Sequence, residues 1–251
     1  MRLVLVSRFS FLIIITLALF SCSKTETLTS DKLSDYMPLE PGKYITYRLD
    51  SLTYSNFGTI AVTTRYQMKH VVDAQITDNL GRPSYRIYTY IRDSAGTQPW
   101  SASGSYFITP LSNQIEVIDD NLRVAKLHLP IKEGFQWNGN TYLPLDPYYP
   151  PYDIINDNDM QDWNFTYDIF EPTTSYRGNN YTEVYTVLQQ DDHFNAPVTD
   201  PNTIGYKTLS EEKYSKNIGM VYRKYELWDY QTDPTDHYTG FGVTMWMIDH
   251  N

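Results

Sequence analysis

Residues 59–77 read TIAVTTRYQMKHVVDAQIT, and they hold the clearest periodicity in the chain. Ile60, Val62, Thr64, Tyr66, Met68, His70, Val72, Ala74 and Ile76 fall on one parity, while the other carries Thr63, Arg65, Gln67, Lys69, Asp73 and Gln75. Alternation with a period of two predicts a strand with one dry face. At about 3.3 Å per residue the run would be roughly 60 Å long, beyond an ordinary strand, so its sheet must bend, bulge or curl around a core.

The pattern continues outward. Ile45, Tyr47 and Leu49 alternate with polar residues before it, and Tyr85, Ile87, Thr89 and Ile91 do so after it. The connections Ser55-Asn56-Phe57-Gly58 and Asn79-Leu80-Gly81-Arg82-Pro83 are turn-forming. Further strands are expected at 106–108, 114–118, 124–129, 165–170, 183–189, 219–228 and 241–248, each rich in β-branched or aromatic residues and bounded by turn residues. A single short helix is expected at 210–216, where Ser210 can cap and Glu211 and Glu212 sit at the positive end of the dipole. No amphipathic helices intervene between strands, which excludes a parallel α/β sheet. The expected fold is all-β: one antiparallel, strongly curved sheet, barrel or half-barrel-like, with at most one short helix.

Composition sets further bounds. With 251 residues and 41% hydrophobic side chains, the chain can bury one sizeable core. Its 23 tyrosines, 10 phenylalanines and 5 tryptophans argue against disorder. Thirty acidic against twenty basic residues give a net charge of −10, so nucleic acid would be repelled. A single cysteine excludes an intramolecular disulfide framework and Cys-rich metal sites.

That cysteine closes an address. Arg2 and Arg8 precede the apolar run FSFLIIITLALF at 9–20, too short to span a bilayer but of signal-peptide length. Leu19-Phe20-Ser21-Cys22 resembles the lipobox of bacterial lipoproteins. The resemblance implies that residues 1–21 are removed and that Cys22 carries acyl chains such as palmitate, which anchor the protein to a membrane. Residues 23–35, rich in Ser, Thr and charge, read as a flexible tether to a single β domain at 36–251. Ser23-Lys24-Thr25-Glu26 partly resembles surface-export signals of Bacteroidota lipoproteins, which leaves the periplasmic and surface faces of the outer membrane both open. The stretches YMPLEPGKY (36–44), LHLPIKEGFQW (127–137) and YSKNIGMVY (214–222) resemble the small Tyr-rich lipoproteins of the Bacteroidota. This resemblance implies an envelope location and a β architecture, and no activity.

Residues 143–162, LPLDPYYPPYDIINDNDMQD, break the strand pattern because proline cannot donate to a ladder, and so read as a long loop. Within it, Asp153, Asn156, Asp157, Asn158, Asp159 and Asp162 crowd oxygen ligands of the kind a hard cation such as Ca²⁺ needs. The spacing lacks the glycine and closing glutamate of an EF-hand, and a solvated acidic loop is the favoured reading. Tyr148, Tyr149, Tyr152 and Trp163 could offer ring faces to a glycan or a protein, or could pack on the sheet and close one end of the barrel, the reading we favour. His70, on the dry parity, reads as a hydrogen-bonded core histidine. Asp191-Asp192-His193 and Asp233 to His237 place carboxylates beside imidazoles, but in polar surroundings with turn residues. HExxH, GxSxG and P-loop motifs are absent, and Gly240-Phe241-Gly242 is half a dinucleotide fingerprint preceding a strand.

These readings combine into a lipid-anchored envelope protein that is not an enzyme, needs no cofactor, and acts by binding a glycan, a lipid or another envelope protein. Two rivals are a half-barrel lipid carrier, which requires an unfilled apolar cavity, and a glycan hydrolase, which requires two acidic groups about 5 to 10 Å apart in a cleft.

Overall fold

Twelve stretches of alternating apolar and polar residues form strands in the computed structural model, which describes residues 31–149, 159–233 and 235–251. They are β1 (Tyr44–Ser55), β2 (Ile60–Thr77), β3 (Pro83–Asp93), β4 (Ser101–Pro110), β5 (Gln114–Asp119), β6 (Leu122–His128), β7 (Gln136–Asn138), β8 (Asn164–Tyr176), β9 (Asn179–Phe194), β10 (Gly205–Ser215), β11 (Gly219–Gln231) and β12 (His237–His250). A one-turn helix α1 (Leu33–Tyr36) precedes them, and a 3₁₀ turn (Met160–Asp162) lies before β8. Leu33 and Tyr36 of α1 are buried.

All pairings are antiparallel, in the order β6-β5-β4-β3-β2-β1-β12-β11-β10-β9-β8-β7. Every sequential pair is a hairpin neighbour except β6 and β7, and the two ends of the domain meet in mid-sheet, with Leu49 opposite Met245. The free edges are therefore β6 and β7, and they face each other across a seam. Ala125 N–H donates to Gly139 C=O at 2.8 Å, and the Trp137 indole N–H donates to Ala125 C=O at 2.8 Å. The Tyr167 hydroxyl accepts from His128 N–H at 3.1 Å and donates to His128 C=O at 2.8 Å, serving both ladder groups of an edge residue. The result is a single, nearly closed barrel-shaped sheet, as the all-β reading expects.

Two local expectations are corrected. Residues 210–216 form no helix: 210–215 belong to β10, with Glu212 opposite Arg223 of β11 and Val187 of β9, and Lys216 lies in the turn that follows. The helix-favouring glutamates are overridden because a strand delivers Glu212 to buried cationic partners. The dry face predicted for 60–76 is dry only in its second half: Ile60 and Val62 are 50% and 38% exposed. The cause is register, since β3 pairs with β2 only from Tyr66 onward and the first half rests on β1 alone. The bend that the length demands is a bulge between Val72 and Ala74.

The core is rich in tyrosine. Tyr36, Tyr47, Tyr167 and Tyr214 are almost wholly buried, and a buried hydroxyl needs a partner. Tyr47 donates to Met220 C=O at 2.9 Å and Tyr214 to Glu212 at 2.7 Å. Close strand crossings need glycine: a Cβ on Gly240 (φ +97°) would lie 2.1 Å from Leu227 O. Gly240-Phe241-Gly242 thus serves sheet packing inside β12.

Because Tyr167 carries both hydrogen bonds of His128, Tyr167→Phe should cost about 1–3 kcal/mol and lower the melting temperature by roughly 2–10 °C. A calorimetric midpoint within 1 °C of the parent's would show that the seam does not depend on this hydroxyl.

Candidate functional site

The interior parity of β10 is polar: Thr208, Ser210, Glu212 and Tyr214 are all buried. Glu212 is the charged member, and its two oxygens are taken. Oε1 lies 2.7 Å from Lys126 Nζ of β6, and Oε2 accepts from the Tyr214 hydroxyl at 2.7 Å. Arg223, next door on β11, brings its Nε to 3.5 Å from Oε1 but makes no hydrogen bond there. Nearby on the inner wall, His70 Nδ1 of β2 is 3.1 Å from the Tyr106 hydroxyl of β4, and its ring meets Tyr47 edge-on at 5.2 Å.

These groups are on the lining of a cavity of about 140 Å³. Ile45, Val72, Ile87, Ile108 and Val117 supply an apolar wall, and Met37, Pro38 and Leu39, which follow α1, line it too. At roughly 10–15 Å³ per water on this measure, the space holds about ten waters, comparable to a ligand of about ten to fifteen non-hydrogen atoms.

Electrostatics follow from burial and from two cations sharing one carboxylate. Burial alone would push the Glu212 carboxyl up, but Lys126 and Arg223 outweigh it and hold it below the usual carboxylate range. The Lys126 ammonium is pushed down, chiefly by burial, with Arg223 adding to the effect against the pull of Glu212. His70 is pushed down to about 4 by burial and by Arg223, so it is neutral at pH 7. Burial raises the Tyr47, Tyr106 and Tyr214 hydroxyls, which stay protonated as donors. Asp119, also on the lining, is raised by burial and by Asp120.

A second concavity of about 230 Å³ lies among β8, β9, β10 and β11, with Tyr176, Tyr181 and Tyr222 beside Glu171, Glu211 and Lys213. It is the larger, but its lysine is already paired with Glu171 at 3.4 Å and both side chains are about 30% exposed. The interior cavity is the better candidate because its charges are buried.

Of the residues singled out from sequence, His70 is on the cavity lining, while the described residues of the 143–162 loop are not among those that line it. Tyr148 packs its ring 5.3 Å from Phe241 and 5.9 Å from Tyr225, Trp163 is buried, and Tyr149 is 52% exposed. Asp159 and Asp162 flank Gln161, whose side-chain amide lies 3.5 and 3.3 Å from them. Cys22, Tyr152, Asp153, Asn156, Asp157 and Asn158 fall outside the described residues. Among the described residues no three His, Cys, Asp or Glu side chains are grouped to hold a metal. Asp191 and His193 sit 3.4 Å apart on β9 rather than in a loop, each about half exposed and outside any cleft. Sequence reading passed over Lys126, Glu212 and Arg223. The signal was there in β11, where Arg223 interrupts the buried parity of Val221, Tyr225 and Leu227.

His70 generates a pH dependence. Its folded pKa lies below the unfolded value of 6.5, so the stabilising effect is complete above pH 6.5 and is lost as pH falls from 6.5 toward 4. The loss should reach about 3 kcal/mol, and His70→Gln should flatten the melting-temperature slope over that window. An unchanged slope in the variant would assign the acid sensitivity to other groups.

No protein-family model and no curated protein matches the chain. Among solved structures it is similar to a candidate lipoprotein from Parabacteroides distasonis ATCC 8503, at 11% identity over 88% of this chain and 100% of that one, with a TM-score of 0.36. It also resembles a candidate outer membrane lipoprotein-sorting protein domain from Vibrio parahaemolyticus, at 9% identity over 84% and 85% of the two chains, with a TM-score of 0.22.

Proposed function

We propose that this chain is a lipid-anchored protein of the bacterial envelope whose barrel interior holds a small amphiphile by non-covalent contacts, without catalysis. The observation that carries the reading is the cavity, whose lining combines apolar side chains with the buried charges of Lys126, Glu212 and Arg223. A core built only for stability would fill such a gap with side chains, because interiors pack to crystal-like density. Both oxygens of the buried Glu212 are engaged, which leaves it poorly placed to act as a general base.

Place and cavity are linked through the chain. Cys22 lies nine residues before Asp31, and an extended stretch of that length reaches at most about 30 Å. The segment leading out of α1 supplies Met37, Pro38 and Leu39 to the cavity lining. An acylated Cys22 would therefore keep this side of the barrel close to a bilayer, where amphiphiles are found.

Two outcomes follow. Expressed in a bacterial host, the chain should incorporate radiolabelled palmitate, and Cys22→Ser should abolish the label and release the protein from the membrane fraction; an unlabelled parent that still sediments with membranes would remove the anchor. Native mass spectrometry of the full chain extracted from membranes should show a population carrying one small bound molecule. A spectrum with the bare mass alone, together with no uptake of added octanol or octanoate, would remove the amphiphile-binding reading.

A further inference from the structure

Arg223 is a cation left over inside the barrel. Its neighbour Glu212 has given one oxygen to Lys126 and the other to Tyr214, and Arg223 makes no side-chain hydrogen bond among the described residues. Its Nε is buried without a partner, yet 31% of its side chain remains accessible where it lines the cavity. Asp119, the other acid on the lining, forms no ion pair with Arg223 or Lys126 among the described residues. A guanidinium held away from bulk water is costly until an anion meets it, and its planar fork suits a carboxylate. The excess is the more telling in a chain whose net charge is −10.

We propose that Arg223, with Lys126 beside it, is the anion-binding end of the cavity, and that the occupant is a monocarboxylate with a short to medium alkyl chain, its tail lying along Ile45, Val72, Ile87, Ile108 and Val117. Each half of this assignment has its own support. The lining carries Lys43, Lys126 and Arg223 against Glu212 and Asp119, which leaves a single positive charge that one carboxylate neutralises and a doubly charged phosphate monoester would overshoot. The cavity volume of about 140 Å³, room for about ten waters, matches roughly the bulk of octanoate or decanoate. The neutral His70, whose Nε2 is buried without a partner on the same lining, offers a hydrogen bond without adding charge.

The assignment deepens the amphiphile reading and rests on it, so its test must separate the two. Octanoate, 1-octanol and octyl phosphate are titrated calorimetrically into the full chain in nanodiscs, with empty nanodiscs as reference. Octanoate should bind about 10–100-fold tighter than octanol, the range of one hydrogen-bonded charge pair, and tighter than octyl phosphate. Arg223→Gln should bring octanoate to the octanol level while leaving octanol within about twofold, and Arg223→Lys should keep part of the preference. An unchanged octanol affinity also certifies that the Gln variant is folded. Equal binding of octanoate and octanol, or octanoate binding indifferent to Arg223→Gln, overturns the anion site but spares the cavity. Tighter binding of octyl phosphate overturns the monocarboxylate assignment. Binding of none of the three overturns both readings.

Discussion

The pairing of Glu212 with Lys126 is the constraint on which the interior depends. It joins β10 to β6, strands far apart in the sheet order, and so ties opposite walls together through the barrel rather than along the ladder. An ion pair in such a place cannot be surrounded by packed aliphatic groups without leaving charges undersolvated, and the carboxylate carries further company in Tyr214 and Arg223. That company occupies positions an apolar core would use. Removing one member of a buried cluster of this kind typically costs about 3–5 kcal/mol, far more than the pair itself contributes relative to an apolar filling. The cluster is thus a poor device for stability and a good one for keeping a polar pocket in a fixed place.

Topology supports the same arrangement. Because the sheet is a meander whose first and last strands pair, nearly every contact is made by hairpin neighbours, and one pairing, Ile45 with His250, closes the whole chain. A closure over some 200 residues is entropically dear in total but grows only slowly with length. Its consequence is that the weak point of the barrel moves to the middle of the sequence, between β6 and β7. There Trp137, Tyr167 and the ring stack of His128 on Phe135, with centroids 5.5 Å apart, replace the missing ladder. Lys126 sits on the β6 edge of that seam, so the ion pair and the side-chain seam brace the same strand.

The architecture was legible because it rests on period two. The alternation in 59–77 and its flanks predicts the strands, the curvature and the lack of a parallel sheet, and the register confirms the hairpins on both sides of it. What stayed hidden was whatever depends on a distant partner. Ser-Glu-Glu-Lys at 210–213 has the local chemistry of a helix start, and only the cations of β6 and β11 make it a strand. The exposure of Ile60 and Val62 depends on where β3 stops, which no feature of 59–77 encodes. The site shares this property, since Lys126, Glu212 and Arg223 are 97 residues apart at the extremes and ordinary surface types one by one. Lys126 and Arg223 nevertheless interrupt the apolar pattern of their own strand faces, and a charge on a dry parity is a searchable signal. By contrast, the conspicuous loop at 143–162 drew attention through composition; its Tyr148 is engaged in packing and its Tyr149 is 52% exposed, while Trp163, just after it, is buried.

The tyrosine content and the strand number are two sides of one geometric requirement. Eight strands enclose an interior that side chains just fill, and a wider barrel needs larger side chains or retains space. Twelve strands here enclose a core whose largest buried members are Tyr36, Tyr47, Tyr167 and Tyr214. A phenylalanine in each position would fill the same volume but would leave Met220 C=O, the His128 edge and Glu212 Oε2 short of a donor, whereas the hydroxyl supplies it. Tyrosine therefore lets a wide barrel be filled from its walls inward while carrying hydrogen-bonding groups to its centre. Where that filling stops, among Tyr47, Tyr106, Tyr214 and the aliphatic side chains beside them, the space left has both polar and apolar lining, which is the form an amphiphile requires.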